Sequence, residues 1–217
     1  MEVNFFSKAL MRPVTMNVIL PADKVFFEEE TEEDNKPFKT LYLLHGVMGN
    51  YTDWVTGTCI KRWAEEKNLA VVMPAGENSF YLNGKGTGRG YETFTAEELP
   101  AYCQKTFGLS DKPEDNFIGG LSMGGFGAIH TALHHPERFG KMFGLSSALI
   151  VNGIKGMKPG SHNDIADYDY YAQIFGDLDK LDESENNPEY LVTERLKKGE
   201  KIQPIFMACG SEDFLLN

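Results

Sequence analysis

The glycine-rich stretch in the middle of the chain, residues 116–128, constrains the fold more than any other segment. It contains the pattern G-x-S-x-G as Gly120–Gly124, with Ser122 at its centre. A short apolar run precedes this pattern, as in a buried strand, and apolar residues recur after it at helical spacing: Phe126, Ile129 and Leu133. The sequence therefore predicts that Ser122 lies on a tight turn between a strand and a helix.

The predicted turn also has the surroundings that a nucleophilic serine needs. Glycines two residues on either side of Ser122 leave room for a sharp bend, which aims the hydroxyl at solvent. The Met123 N–H then lies at the start of a helix, where free backbone donors and the helix dipole favour negative charge. The alternative is a glycine-rich turn of another α/β protein with an incidental serine, which explains the strand, the helix and the paired glycines less well.

Length and composition restrict the class of protein. The 217 residues suffice for a single domain spanning 1–217, and the net charge of −11 argues against nucleic acid as a partner. No apolar run reaches the length of a membrane span, and residues 1–8 lack the pattern of a signal peptide. Cys59, Cys103 and Cys209 have neither zinc-site nor disulfide-framework spacing. These features predict a cytoplasmic protein without membrane or nucleic-acid partners.

A second glycine-containing loop follows the apolar run Thr40–Leu44, which is typical of a central parallel strand. The loop begins with His45, Gly46 and Val47. A glycine directly after a buried strand lets the backbone turn and present an N–H, so the Val47 and Met123 amides together could form an oxyanion hole. We expect His45 to order its loop by hydrogen bonding rather than to act in catalysis.

A third segment places acidic residues just past a predicted strand, residues 202–209. A carboxylate at the carboxyl edge of a sheet can orient a catalytic histidine and stabilise its charged form. Glu212 and Asp213 are the two candidates for this position.

The three segments together resemble a known family. The His45–Gly46 loop, the Gly120–Gly125 elbow and Gly210–Phe214 are similar to the putative-esterase (esterase D-like) family of α/β-hydrolases, in particular its tributyrin esterase type. The resemblance extends over nearly the whole chain and implies an α/β-hydrolase fold, a mostly parallel central sheet with helices on both faces. It also implies a serine esterase that acts on small acyl esters without a cofactor.

The same resemblance implies roles for single residues. Ser122 corresponds to the nucleophile of the elbow, and the Val47 and Met123 amides correspond to the oxyanion-hole donors. Asp213, rather than Glu212, corresponds to the acid. These residues are the candidate catalytic site.

The histidine of this pattern has no counterpart in the expected place. The chain order in the fold is serine, acid, histidine, and no histidine follows Asp213. The resemblance therefore implies a sequence that lacks the C-terminal strand and helix of the fold. The other interpretation is a natural fragment or a non-catalytic relative. Among the histidines present, His162 is the internal candidate for the base, because it lies in a loop that could move.

Residues 151–200 form an excursion between two predicted strands, and in this fold an excursion here would cover the active site. Its aromatic residues could line a pocket for the acyl group or form a small local core. They are Tyr168, Tyr170, Tyr171 and Phe175.

Three other patterns are weaker signals. His130 and His134 share one face of the helix after Ser122, but Thr131 replaces the glutamate of H-E-x-x-H, so we expect solvent-facing histidines and no metal site. The stretch Thr95–Glu98 is typical of a capping box that begins a helix. The acidic stretch Phe27–Lys39 is predicted to be a solvated hairpin or loop.

The sequence as a whole predicts a serine carboxylesterase that acts on a small-molecule ester through an acyl-enzyme intermediate. Alternatives of the same class are an S-formylglutathione hydrolase, an acetyl or feruloyl esterase on plant polysaccharide, and an acyltransferase that uses a sugar as acceptor. The alternative of a different class is a non-catalytic binding protein of the same fold. Self-association into a homo-oligomer stays open.

Overall fold

The computed structural model describes residues 1–22 and 36–216, so most of the acidic stretch Phe27–Lys39 lies outside the described residues. A single sheet forms the centre of the fold. Its strands are β1 (Glu2–Ser7), β2 (Arg12–Ile19), β3 (Lys39–Leu44), β4 (Leu69–Pro74), β5 (Asn116–Leu121), β6 (Lys141–Leu145) and β7 (Ile205–Ala208). Within the described ranges, the seven strands lie in the order β1-β2-β4-β3-β5-β6-β7.

The sheet has an antiparallel edge and a parallel centre. The pairs β1–β2 and β2–β4 are antiparallel, whereas β4, β3, β5, β6 and β7 are parallel to one another. The central strands are nearly continuous apolar runs, because both of their faces are covered. Parallel strands end at the same edge, so the turns after β3, β5 and β7 meet there.

Helices cover both faces of the sheet, as predicted. They are α1 (Asp53–Gly57), α2 (Ile60–Glu66), α3 (Tyr91–Thr93), α4 (Leu99–Phe107), α5 (Met123–His134), α6 (Val151–Ile154), α7 (Tyr168–Phe175) and α8 (Pro188–Lys197). The larger core contains Phe126 and Ile129 of α5. The smaller core, on the opposite face, contains Ile60 and Ala64 of α2.

The predicted capping box at Thr95–Glu98 is wrong. The helical stretch already begins at Tyr91, and a π-helical segment, Phe94–Glu98, joins α3 to α4. The Glu98 carboxylate accepts hydrogen bonds from the Ser7 hydroxyl and from the Ala9 N–H, in the turn between β1 and β2. A tertiary contact therefore replaces the local cap that the sequence pattern indicates.

The excursion 151–200 contains α6, α7, a 3₁₀ segment (Leu178–Glu183) and α8. Tyr171 and Phe175 belong to the main core, so the aromatic residues do not form a separate local core. Within the two described ranges, we find no helix that combines the length and the apolar character needed to cross a membrane.

Candidate active site

Ser122 lies between β5 and α5 in a backbone conformation that is unfavourable for a residue with a side chain. Its φ and ψ angles are 56° and −119°. Three backbone hydrogen bonds hold it there: its N–H donates to Leu145 O (2.9 Å), and its carbonyl accepts from the N–H groups of Phe126 and Ala148 (3.0 Å each). Strain that the surroundings enforce in this way is typical of functional turns.

The glycines beside Ser122 are required by close backbone contacts. A Cβ atom on Gly120 would lie 2.8 Å from the carbonyl oxygen of Leu44. A Cβ atom on Gly124 would overlap the carbonyl oxygens of both Leu44 and His45, and would lie 2.6 Å from the latter. Only glycine at these positions lets the elbow approach the end of β3, as the sequence pattern predicted.

Two backbone donors share a cavity with Ser122. Val47 and Met123 line the same cavity as the serine. Neither N–H donates to an acceptor within residues 1–22 and 36–216. Met123 is the first residue of α5, so the helix dipole adds to the attraction for negative charge. The arrangement suits an oxyanion.

His45 orders the loop after β3, as predicted. Its Nδ1–H donates to Gly46 O (2.7 Å), and its Nε2 accepts from the Gly76 N–H (2.8 Å). Burial lowers the pKa of this imidazole, which keeps Nε2 free to accept. The Tyr81 hydroxyl also donates to His45 O (3.2 Å). The ring therefore holds the loop in place through both of its nitrogens.

Asn78 also holds this loop, and sequence reasoning did not identify it. Its Oδ1 accepts from the Met48 N–H (2.7 Å), at a residue with a positive φ of 63°. Its carbonyl accepts from the Tyr170 hydroxyl (3.0 Å) of α7. Asn78 thus connects the loop after β3 to the excursion. No local sequence pattern marks it, because both partners are distant in the chain.

Asp213 lies in the turn after β7. Its Oδ1 accepts from the Leu215 N–H at 2.9 Å. This backbone hydrogen bond and further side-chain hydrogen bonds from Ser146 and Cys209 lower the pKa of the carboxyl group. Asp213 is half-buried, whereas Glu212, the competing acid, is exposed. Asp213 is therefore the better-held carboxylate of the two.

The cavity at Ser122 has a volume of about 720 Å³. It extends from the elbow to the turn after β6, to the excursion and to the residues around β7. The excursion contributes, among others, Ile154, Asn163, Asp164, Ile165, Tyr171 and Glu189, and the segment around β7 contributes Met207, Ala208, Cys209, Phe214, Leu215 and Leu216.

The structure places none of the chain's histidines in hydrogen-bond contact with Ser122, as far as the described residues show. His162 is exposed and forms an isolated bridge with Asp167. Its neighbours Asn163–Ile165 line the cavity, but His162 itself does not. His45 is engaged in its loop, and the other three histidines lie at the far end of α5 or directly after it.

The expectation of solvent-facing histidines on α5 is wrong for His130, which is fully buried. Its Nε2 lies 2.9 Å from Glu185 O, in the excursion. His134 is partly exposed and lies against Glu92. The outer face of α5 packs against α8 and the segment before it, so a helix face that looked solvated from the sequence is covered.

Known proteins resemble this chain in sequence and structure. A family model described as "Putative esterase" matches residues 7–214. An acetyl esterase from Caldicellulosiruptor saccharolyticus is 41% identical over 216 residues, which is 100% of this chain and 81% of that protein.

Two solved structures from Staphylococcus aureus match almost the whole chain. The fluorophosphonate-binding serine hydrolase FphF, substrate bound, has a TM-score of 0.82 and 34% identity over 100% of this chain and 80% of FphF. An S-formylglutathione hydrolase (FrmB) has a TM-score of 0.79 and 34% identity, over 99% of this chain and 80% of that protein. The chain thus spans about four fifths of each of these proteins.

Proposed function

This chain belongs to the Putative esterase family and is a serine hydrolase, and we propose that it hydrolyses esters of short acyl groups with Ser122 as nucleophile. The family and the fold predicted from the sequence are both confirmed. One observation carries the proposal: Ser122, on its strained turn, shares a cavity with the unpaired N–H groups of Val47 and Met123.

In the proposed reaction, the Ser122 oxygen attacks the ester carbonyl carbon and loses its proton to a histidine base. The carbonyl oxygen becomes an oxyanion, which accepts hydrogen bonds from the Val47 and Met123 amides. The intermediate expels the alcohol, which takes the proton from the base, and the acyl group stays on Ser122. The same base then activates water, which releases the acid and restores the serine.

Asp213 has the role of orienting this base. Hydrogen bonds from the Leu215 N–H and the Ser146 hydroxyl lower its pKa, so the carboxylate is charged at neutral pH and stabilises an imidazolium beside it. Within the chain, His162 is the candidate for the base, since its neighbours line the cavity. If His162 has this role, His162→Ala lowers kcat by roughly 10⁴-fold. An unchanged kcat excludes it.

The cavity supports a small acyl group and an uncharged alcohol. Its wall includes apolar residues such as Phe80, Leu149 and Ile150. The excursion 151–200, which we assign as the cover of this cavity, adds Asp164 and Glu189. Their carboxylates repel anions, so esters of glycerol or of a sugar fit better than a glutathione thioester, which carries two carboxylates. Acetyl esters and tributyrin are therefore the proposed substrate class.

The nucleophile is tested by covalent labelling. A fluorophosphonate probe should label the protein, and Ser122→Ala should abolish both labelling and ester hydrolysis. Ser184→Ala is the matched control, because this serine lies in the excursion and does not line the cavity. Labelling that persists in Ser122→Ala would contradict the assignment. A correctly folded wild-type protein that is never labelled would point to the non-catalytic binding protein.

The substrate class is tested by rates on a series of esters. Hydrolysis of p-nitrophenyl acetate or butyrate should exceed that of palmitate by at least about tenfold, since the cavity is closed by the excursion. S-formylglutathione should be a poorer substrate than a neutral acetyl ester. Addition of a sugar acceptor should not divert the acyl group; formation of an acyl sugar would instead identify a transferase.

We also infer a reducing, cytoplasmic environment. Cys59 and Cys209 are exposed and Cys103 is buried, and all three are free thiols. Exposed free thiols are typical of a reducing compartment. Fractionation of the source cells tests this location: recovery in the cytoplasmic fraction is the expected result.

A further inference from the structure

Three ionisable side chains form a cluster outside the candidate active site, where α3 and α5 meet. Glu92 on α3 and His130 and His134 on α5 each place one potential ligand atom within 4.8 Å of the others. Glu92 and His130 are 5% and 0% exposed, whereas the side chain of His134 is 35% exposed. Two imidazoles and one carboxylate are a donor set that zinc commonly binds.

His130 has a buried atom that lacks a partner. Its Nε2 lies 2.9 Å from the carbonyl oxygen of Glu185, and an imidazole nitrogen that faces a carbonyl must carry the proton and donate it. Nδ1 therefore carries a lone pair, and it is buried without a hydrogen-bond partner in the described part of the chain. Burial also lowers the pKa of His130 to about 4, so the imidazole is neutral at pH 7. An unpaired buried acceptor is unfavourable and calls for a ligand.

The other two side chains are held in position next to it. His134 follows His130 by one helical turn and lies on the same face of α5. Its Nδ1 is 2.5 Å from Glu92 Oε1, which is also 2.9 Å from Nε2 of His135. The outer hydrogen bonds, from His130 to Glu185 and from His135 to Glu92, match the pattern by which metal ligands are oriented in proteins.

We propose that Glu92, His130 and His134 bind a divalent cation of the zinc class. Two nitrogen ligands and one oxygen ligand leave one tetrahedral position for water. A zinc ion about 2 Å from each ligand atom allows these atoms to lie no more than about 4 Å apart. From the present spread of 4.8 Å, shifts of less than about 1 Å suffice. The exposed edge of His134 gives the ion access from solvent.

The bound ion has a structural role. His130 lies two helical turns beyond Ser122, about 12 Å along the helix axis, so the ion does not reach the ester. It ties the end of α5 to α3, and through the Glu185 carbonyl it fixes the excursion. The Phe126 ring, which stacks on His130 at 6.0 Å, also packs edge-on against Phe80 in the cavity wall at 5.4 Å. Metal binding therefore stiffens the support of the cavity.

Zinc binding to the metal-free protein tests the proposal. Equilibrium dialysis should give one zinc per chain, and zinc at a large excess over its Kd should raise the unfolding temperature by roughly 5 °C or more. Cobalt(II) in place of zinc should give the visible absorption of a tetrahedral site. His130→Gln and His134→Gln should each weaken zinc binding by about 100-fold or more.

Two features of the design keep the test decisive. His134→Gln can retain a hydrogen bond to Glu92 and should fold even if the buried His130→Gln does not. The matched control is His162→Gln, which removes an exposed histidine outside the cluster and should bind zinc like the wild type. The proposal is overturned if zinc neither binds in a one-to-one ratio nor raises the unfolding temperature. It is also overturned if His134→Gln binds zinc as tightly as His162→Gln, since the cluster would then be a simple ion pair between Glu92 and charged histidines.

Discussion

Ser122 and Asp213 follow two strands of the same sheet, β5 and β7, but their surroundings differ. Ser122 is enclosed by backbone from β3, β6 and α5, and the glycines beside it touch carbonyl oxygens on two sides. β7 is exposed along its whole length, and it lies at the edge of the sheet in the described residues. Asp213 is held by a few hydrogen bonds in the turn after this strand.

This difference separates stability from activity. Packing fixes the nucleophile, so changes near Ser122 should disturb the whole fold. Few contacts fix the acid, so changes at Asp213 should alter chemistry and leave the fold intact. Each of the following variants tests one side of the comparison.

The largest effect is expected for Asp213→Asn. An amide in place of the carboxylate cannot stabilise an imidazolium, and kcat should fall by roughly 10⁴-fold. The unfolding temperature should change little, because the amide oxygen can still accept the Leu215 N–H. Esterase assays and thermal unfolding measure the two effects. Glu212→Gln, the same charge change at the exposed neighbour, should leave kcat unchanged; a comparable loss in both variants would contradict the assignment of Asp213.

The next effect is expected for Gly124→Ala. The added methyl group would overlap the carbonyl oxygens of Leu44 and His45, which belong to backbone and cannot turn aside. We expect a loss of about 3 kcal/mol or more in the free energy of unfolding, measured with urea. Gly153→Ala is the matched control, since a Cβ there meets no atom within 4 Å. If Gly124→Ala is as stable as this control, the elbow is less tightly packed than the comparison requires.

The sequence predicted those parts of the site that depend on local geometry. The strand-turn-helix at Ser122 follows from glycines and apolar spacing within a dozen residues, and His45 was correctly expected to order its loop. The predicted strand 202–209 is shorter in the structure, Ile205–Ala208, because Pro204 has no N–H for the ladder.

The parts that sequence reasoning missed depend on distant segments. His130 is buried because the excursion covers α5, and Glu185 lies 55 residues further along the chain. Asn78 bonds to Met48 and Tyr170, which are 30 and 92 residues away. A helical pattern or a turn residue carries no information about such partners, so only the fold brings them together.

A smaller effect is expected at the exposed strand itself. Phe206 on β7 is 63% exposed, and an apolar edge strand is a site for self-association. Phe206→Lys should weaken any self-association by about tenfold or more and change the free energy of unfolding by no more than about 0.5 kcal/mol. Analytical ultracentrifugation measures the first effect. Leu196→Lys on α8, which replaces a side chain that is 59% exposed, is the control that should leave association unchanged. Equal effects of the two variants would show that β7 is not the contact.

The smallest effect is expected from acid on the enclosed side of the site. Burial lowers the folded-state pKa of His45 below its ordinary value near 6.5, while the Gly46 carbonyl and the Asp53 charge oppose this shift in part. Below that value the unfolded chain takes up a proton that the folded loop resists, because protonated Nε2 can no longer accept from the Gly76 N–H.

The stability contributed by neutral His45 is therefore fully present above pH 6.5 and declines as the pH falls towards the lowered pKa. Urea unfolding at pH 7.5 and pH 5.5 should show a larger loss for the wild type than for His45→Gln, whose amide can replace both hydrogen bonds and does not titrate. His162→Gln, which removes an exposed histidine instead, should behave like the wild type. The difference between the two variants isolates His45 from the buried His130, which is present in both. If wild type and His45→Gln lose the same stability, the loop after β3 is not held by the neutral ring, and the enclosed side of the site owes its rigidity to the elbow glycines alone.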